Sequence, residues 1–308
     1  MGASVSEKAI TLYNTPLTSE QAAKLKILLD EEGFKFEARP YTLFFAQKDK
    51  LTIAAYEKGP KVVIQGKGTE EFVRFHLEPE VLGEAKLGYE EFLQPEMYAP
   101  HFGIDESGKG DFFGPLVIAG VYVNNDLAKE FKAIGITDSK RIGSDKKIRD
   151  LARAIRAARA PHSVVSIKPE RYNELYTKIG NLNRLLAWGH ARIIENLCEL
   201  VPNCPRALSD KFADVRVLEK ALMEKGRTIQ LDQQTKAESD FAVAAASILA
   251  REKFIDWLEE HGKVHGVTLH RGVNQQVKDA ARQIAQTGGK ETLAQVAKMH
   301  FKTALEII

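Results

Sequence analysis

Gly103-Ile104-Asp105-Glu106-Ser107-Gly108-Lys109-Gly110-Asp111 closes an apolar, strand-like run with two adjacent carboxylates and then turns on glycine. Acidic side chains supply the hard oxygen ligands that Mg²⁺ prefers. Glycines let backbone N–H groups come close to a phosphate backbone. Together they predict a strand whose end holds a divalent metal against a phosphate. Charge at the end of an apolar strand is costly without a partner or a task. Arg206-Ala207-Leu208-Ser209-Asp210 repeats the pattern, a carboxylate terminating a core strand. In α/β sheets, ligands bind at the carboxyl ends of the strands.

A third acidic position opens the segment 238–251, whose body, Ala242 to Ala250, is rich in small residues. Small side chains let such a helix sit close to a sheet. Asp240 lies near its N-terminus, where the helix dipole favours a charged carboxylate. Each acid also has a structural alternative, a turn-capping Asp for Asp105 and a helix-cap acid for Asp240. Four carboxylates gathered at one place repel unless cations compensate, and two divalent ions about 4 Å apart are the usual solution in nucleases.

The 308 residues are long for one domain and comfortable for two. With 44% hydrophobic and 28% charged residues and no apolar run of membrane-spanning length, the chain reads as soluble and globular. Two cysteines, Cys198 and Cys204, without zinc-ligand spacing point to a reducing, cytoplasmic setting. Met1 to Ser6 formally matches an acylation pattern but lacks a second membrane signal. The net charge of +2 conceals a local balance of +3 over Lys48–Lys67 and of +4 from Lys263 to the end. Basic flanks around an acidic centre fit a polyanion held at the sides and cut in the middle, and they fit ordinary solvated faces equally well.

Thr18-Ser19-Glu20-Gln21 reads as a capping box opening a helix with Ala22, Leu25, Leu28 and Leu29 on one face, closed by Gly33. Short β-rich runs follow at 34–36, 41–45, 51–56 and 61–65, then a helix over 69–77. Such a meander leaves one face open to a partner, a face expected to carry Phe44, Tyr56 or the lysines. From 78 to 100, Pro79, Gly83, Gly88, Pro95 and Pro100 interrupt every period. The expected layout is a small α+β domain over 1–80, a linker over 81–99 and an α/β domain over 100–308. In the last, strands are expected near 101–105, 115–123, 162–168, 206–210 and 228–231. The first two should be antiparallel and the later ones should join by parallel crossovers.

Asp105-Glu106-Ser107-Gly108-Lys109-Gly110, then Phe113-Gly114-Pro115-Leu116-Val117, Thr137-Asp138-Ser139-Lys140, Ser209-Asp210-Lys211-Phe212-Ala213 and Ala242 to Arg251 occur in this order. In combination they resemble the type 2 ribonucleases H in their bacterial HIII form, over residue 100 to the C-terminus. The resemblance implies a ribonuclease H-like mixed five-stranded sheet with flanking helices. It implies Mg²⁺ or Mn²⁺ dependence and endonucleolytic cleavage of the RNA strand of RNA/DNA hybrids, leaving 5′-phosphate and 3′-hydroxyl ends. It makes Asp105, Glu106, Asp210 and Asp240 the catalytic, metal-binding carboxylates. Ser107-Gly108-Lys109-Gly110 would read the ribose 2′-hydroxyl through the backbone, and Ser139 and Lys140 would contact phosphates. The HII form has Lys-Gly-Tyr where this chain reads Arg271-Gly272-Val273-Asn274. Residues 1–80 are similar to the TATA-binding-protein-like substrate domain of HIII enzymes. A monomer with no obligate protein partner and no membrane contact is expected.

Other signals carry less. Gly108, Gly110 and Gly114 are one residue too widely spaced for a dinucleotide fingerprint, and Gly66-Lys67-Gly68 lacks the Ser or Thr of a P-loop. His261, His265 and His270 have loosely ligand-like spacing, but Gly262 and Gly266 are expected to break any helix between them, which leaves surface histidines. The stripe Leu182, Leu185, Leu186, Ile193 and Leu197 reads as core, with Arg184 solvated.

Overall fold

A computed structural model of the chain describes residues 10–83, 94–136, 139–211, 215–222, 225–234 and 237–308. The acylation-like start, most of the stretch read as a linker, Thr137-Asp138 and Phe212-Ala213 lie outside the described residues. The chain divides into two compact units, Met1–Pro95 and Glu96–Ile308.

In the first unit, helix α1 (Ser19–Glu31) starts where the sequence places it. Thr18 accepts from the Gln21 N–H while the Gln21 side chain accepts from the Thr18 N–H, so two of the four orphan donors at the helix start are satisfied. Five antiparallel strands order as β1-β5-β4-β3-β2: β1 (Leu12–Pro16), β2 (Lys35–Glu37), β3 (Thr42–Lys48), β4 (Leu51–Tyr56) and β5 (Lys61–Gly66). The edge strand β1 has an intermediate and exposed pattern throughout, without the apolar alternation that would have marked it in the sequence. Phe44, expected on the open face, is instead buried in the core with Leu25, Leu29 and Ile53. Strand alternation explains this: Phe44 and Ala46 point to the helices, and Leu43 and Phe45 point away. Helix α2 (Thr69–Phe72) continues as a π-helical segment from Val73 to Leu82 and passes through Pro79, so the chain stays helical where its composition suggested loop. Val81 packs in the core and Gly83 ends the run at φ 72°.

The second unit is built on a five-stranded mixed sheet of order β10-β9-β6-β7-β8. Its strands are β6 (His101–Ser107), β7 (Leu116–Val123), β8 (His162–Ile167), β9 (Arg206–Asp210) and β10 (Gln230–Gln234). β6 and β7 are antiparallel, and β9 runs parallel to both β6 and β10. β8 pairs antiparallel with β7 and so runs in the same direction as β6, β9 and β10. Two helices, α3 (Asn125–Ile134) and α4 (Asp145–Ala157), separate β7 from β8.

Helix α5 (Pro169–Ile179) and the long α6 (Leu182–Leu200) cover one face, where Leu185, Leu186, Ile193 and Leu197 pack on Phe102, Ile104 and Ile118. After the short α7 (Val215–Glu219), helix α8 (Phe241–His265) covers the other face. Its small residues have the expected consequence: a Cβ on Gly103 would lie 2.2 Å from the Val243 nitrogen. α8 runs through Gly262 without a break and ends only at Gly266, at φ 65°. Gly262 is needed for closeness, because a Cβ there would come 2.7 Å from the Val267 carbonyl oxygen. Helix α9 (Gln275–Val296) and the short α10 (Lys302–Leu305) complete the unit.

Candidate active site

Strand alternation sorts the acidic residues. Phe102 and Ile104 face α6, so His101, Gly103 and Asp105 face α8, and Glu106 returns to the α6 side. In the parallel pairing of β6 with β9, Phe102 lies opposite Ala207, Gly103 opposite Leu208 and Ile104 opposite Ser209. The next position on each strand is an aspartate, Asp105 and Asp210. Leu208 packs with Val243 of α8, which puts Asp210, two residues on, on the same face as Asp105.

Asp240 is the N-cap of α8. Its Oδ1 accepts from the Ala242 and Val243 N–H groups at 2.8 and 3.2 Å. The same oxygen lies 3.0 Å from His101 Nε2, while His101 Nδ1 donates to the Ala99 carbonyl at 2.7 Å. With Nδ1 committed as a donor, the Nε2 contact needs a proton on either the ring or the carboxylate. Asp240 Oδ2 is buried and has no hydrogen-bond partner among the described residues, and such an oxygen is costly unless a cation or donor meets it.

Asp105 is buried, and its Oδ1 accepts from the Glu106 N–H at 2.8 Å. Burial, then the charge of Glu106, pushes its carboxyl up to about 7, against the pull of the Glu106 N–H, the Ser247 hydroxyl and Lys140. Burial pulls Glu106 upward too, but the hydrogen bond and charge of His190, with Lys109 adding to them, outweigh it and leave its carboxyl below the ordinary value. His190 Nε2 is 3.2 Å from Glu106 Oε2, and Lys109 Nζ is 3.3 Å from Oε1. Asp210 Oδ1 accepts weakly from the Ala237 N–H at 3.4 Å.

Asp105, Asp210 and Asp240 therefore share the α8 side of adjoining strand ends, while Glu106 turns to the opposite side. Among the described residues, no three His, Cys, Asp or Glu side chains are already grouped to hold a metal ion. In this arrangement Glu106 is engaged by His190 and Lys109, and one oxygen of Asp240 by His101 and the helix N-terminus.

The glycine turn divides into two parts. Gly108 is buried at φ 86°, and a Cβ there would lie 2.1 Å from the Pro115 carbonyl oxygen, so this glycine is required by packing. Gly110 is exposed, with open space where a Cβ would stand. Ser107 and Lys109 are half-buried beside it. Ser139 is buried and shares a 2.5 Å hydrogen bond with Ser247, and its carbonyl accepts from Arg251. Lys140, next along, is exposed and within electrostatic reach of Asp105. Arg251 also approaches Asp145, which Arg271 holds at 2.9 Å.

Several residues at this site carried no sequence signal of function. His190 lies within the stripe read as plain core. His101 stands four residues before Asp105, on the same face by alternation, which was the one available clue. Ser247 hid in a run of small residues.

Comparisons with known proteins fit this geometry. The family model described as Ribonuclease HII matches residues 102–304, and one described as a domain of unknown function (DUF3378) matches residues 16–86. The chain is 44% identical to Ribonuclease HIII of Protochlamydia amoebophila (strain UWE25) over 94% of its own length and 95% of the relative. It is 43% identical to Ribonuclease HIII of Chlamydia abortus (strain DSM 27085 / S26/3), covering 96% and 97%. Among solved structures, it resembles Bst-RNase HIII in complex with Mn2+ at a TM-score of 0.66 and 28% identity, covering 96% of this chain and 99% of that one. Aquifex aeolicus RNase H3 is similar at a TM-score of 0.54 and 28% identity, covering 94% and 99%. Fold and sequence together define a ribonuclease H of the HII-like class. Within that class the chain belongs to the ribonuclease HIII family and is an endoribonuclease, a hydrolase.

Proposed function

We propose that the protein is a metal-dependent endonuclease cutting the RNA strand of RNA/DNA hybrids, with 5′-phosphate and 3′-hydroxyl products. Asp105, Glu106, Asp210 and Asp240 are its metal-binding carboxylates. The observation that carries this reading is the pairing of Asp105 with Asp210 at adjacent parallel strand ends, beside the unpartnered buried oxygen of Asp240. The donor set is all carboxylate oxygen, which suits Mg²⁺ or Mn²⁺. When bound, two divalent ions would supply an activated water and stabilise the leaving 3′ oxygen.

The chain's own residues do the rest. An Asp105 carboxyl held up by burial and like charge is one that a neighbouring cation returns to its ionised form. His190 and Lys109 keep Glu106 ionised and fix its direction. Lys140 offers a charge to phosphate near Asp105. The accessible backbone at Lys109–Gly110 would meet a ribose 2′-hydroxyl, and Ser107 and Gly108 would set that backbone's course. Ser139 acts through its hydrogen bond to Ser247, which holds the segment bearing Lys140. On the open face of the first unit's sheet, Leu43, Tyr56 and Lys61 form a surface for the nucleic-acid backbone. Buried thiols at Cys198 and Cys204 suit a reducing cytoplasm. The test is cleavage of end-labelled hybrid, RNA duplex and DNA duplex with Mg²⁺, with Mn²⁺ and with chelator. Cutting confined to hybrid and dependent on metal supports the reading, and equal cutting of plain DNA overturns it.

A further inference from the structure

Lys298 follows the end of α9 and is fully buried. A lysine withdrawn from water needs partners for its charge. Its Nζ donates to the carbonyls of Asp111 at 2.9 Å, Phe113 at 3.3 Å and Gly114 at 2.6 Å, three acceptors for the three N–H bonds of an ammonium. Its backbone N–H donates to the Phe112 carbonyl at 2.8 Å. One residue thus receives four consecutive carbonyls, 111 to 114. In an extended strand successive carbonyls alternate in direction, so this segment is curled around the ammonium. The rings of Tyr172 and Phe254, 5.7 and 6.0 Å from Nζ, add cation–π contacts.

The curl is tied at its other groups as well. The Gly114 N–H donates to Val296, the Phe112 N–H to the Gly272 carbonyl, and the Gly272 N–H to Asp111 Oδ1 at 2.6 Å. The glycine turn is attached directly to it. The Asp111 N–H bonds back to the Gly108 carbonyl at 3.4 Å, and Gly108 packs against Pro115 and Phe254.

We propose that Lys298 is a positioning residue for the Ser107–Gly110 turn: its ammonium holds the 111–114 curl that sets the course of the backbone facing the substrate. This rests on the reading of that turn as the ribose-contacting element. A buried charge is weak evidence of a stability role, because an apolar residue of similar volume often serves the core as well. The three carbonyls gathered on the ammonium have no such substitute. Burial lowers the Lys298 ammonium to about 7, against the charge of Asp111. This is a cost that core packing alone does not require.

The experiment compares wild type with Lys298→Met and Lys298→Gln in the full chain. It reads thermal melting, hydrogen exchange of the peptide covering 106–115 without substrate, and steady-state cleavage of hybrid at saturating Mn²⁺. The expected result is cooperative melting, roughly 10-fold faster exchange in that peptide, and a KM raised about 10-fold or more with kcat changed by less than about threefold, Gln being milder than Met. Wild-type exchange and wild-type KM in a folded variant would overturn the proposal. Failure of both variants to fold would overturn it too, by assigning the ammonium to the core. Faster exchange with a wild-type protein that ignores the hybrid would instead defeat the functional reading while leaving the link between Lys298 and the turn intact.

Discussion

Asp105 and Asp210 stand one step beyond the Ile104–Ser209 pair of two parallel strands, so their carboxylates leave the sheet on the same face and at the same end. Burial, then the charge of Glu106, holds the Asp105 carboxyl up at about 7 at this strand end. A structural capping role explains neither the juxtaposition of Asp105 with Asp210 nor the second oxygen of Asp240, which the cap leaves buried without a partner among the described residues. Asp210→Asn is expected to lower cleavage by at least about 100-fold while leaving hybrid affinity within a few-fold, as measured by single-turnover kinetics and fluorescence anisotropy.

His190 meets Glu106 on the α6 face of the sheet, opposite the face that carries the three aspartates. Removing a hydrogen-bonding partner from a ligating carboxylate typically costs about 10–100-fold in metal affinity or activity. His190→Phe should therefore raise the Mn²⁺ concentration needed for half-maximal cleavage by roughly that factor, with little change in KM for hybrid. A metal titration of the cleavage rate reads this directly.

Gly103 has no room for a side chain, because a Cβ would lie 2.2 Å from the backbone of Ala242 and Val243. Gly103→Ala should displace the start of α8, and Asp240 with it, at a cost of about 1–3 kcal/mol. Urea unfolding measures the cost. Activity should fall further than the unfolded fraction accounts for.

Lys298 ties stability to pH. Its folded ammonium is lowered from 10.5 to about 7, so between those values the unfolded chain binds the extra proton. Stability from this group then rises with pH across that window, by at most about 1.4 kcal/mol per pH unit. Below about 7 both states are protonated and the full cost of burying the charge is present. Urea midpoints from pH 7 to 10 should climb more steeply in wild type than in Lys298→Met.

Tyr56 and Lys61 lie on the open side of the first unit's sheet. Replacing both with Ala should weaken hybrid binding several-fold and make the slope of log affinity against log salt shallower by about one. Unchanged affinity and slope would remove this face from the substrate path.

Much of this was legible in the chain. Asp105 and Asp210 each interrupt an apolar run at its end, and Asp240 opens a helix whose small residues announce close packing, so strand ends and site could be read together. The capping box at Thr18 was local and therefore readable. What escaped depends on long-range partners. His190 looks like one more residue of a buried stripe until β6 lies beneath it. Lys298 looks like surface charge until the 111–114 carbonyls close around it. Gly262 was misread because its small size serves the Val267 backbone rather than a helix end.

The most direct test is cleavage of one strand-labelled RNA/DNA hybrid by wild type and by Asp105→Asn, with Mn²⁺ and with chelator. The expected result is cutting of the RNA strand by wild type with metal alone, to 5′-phosphate and 3′-hydroxyl ends, and none by Asp105→Asn although it still binds the hybrid. Comparable cutting by Asp105→Asn, or cutting by wild type in chelator, would contradict a metal site built on these carboxylates.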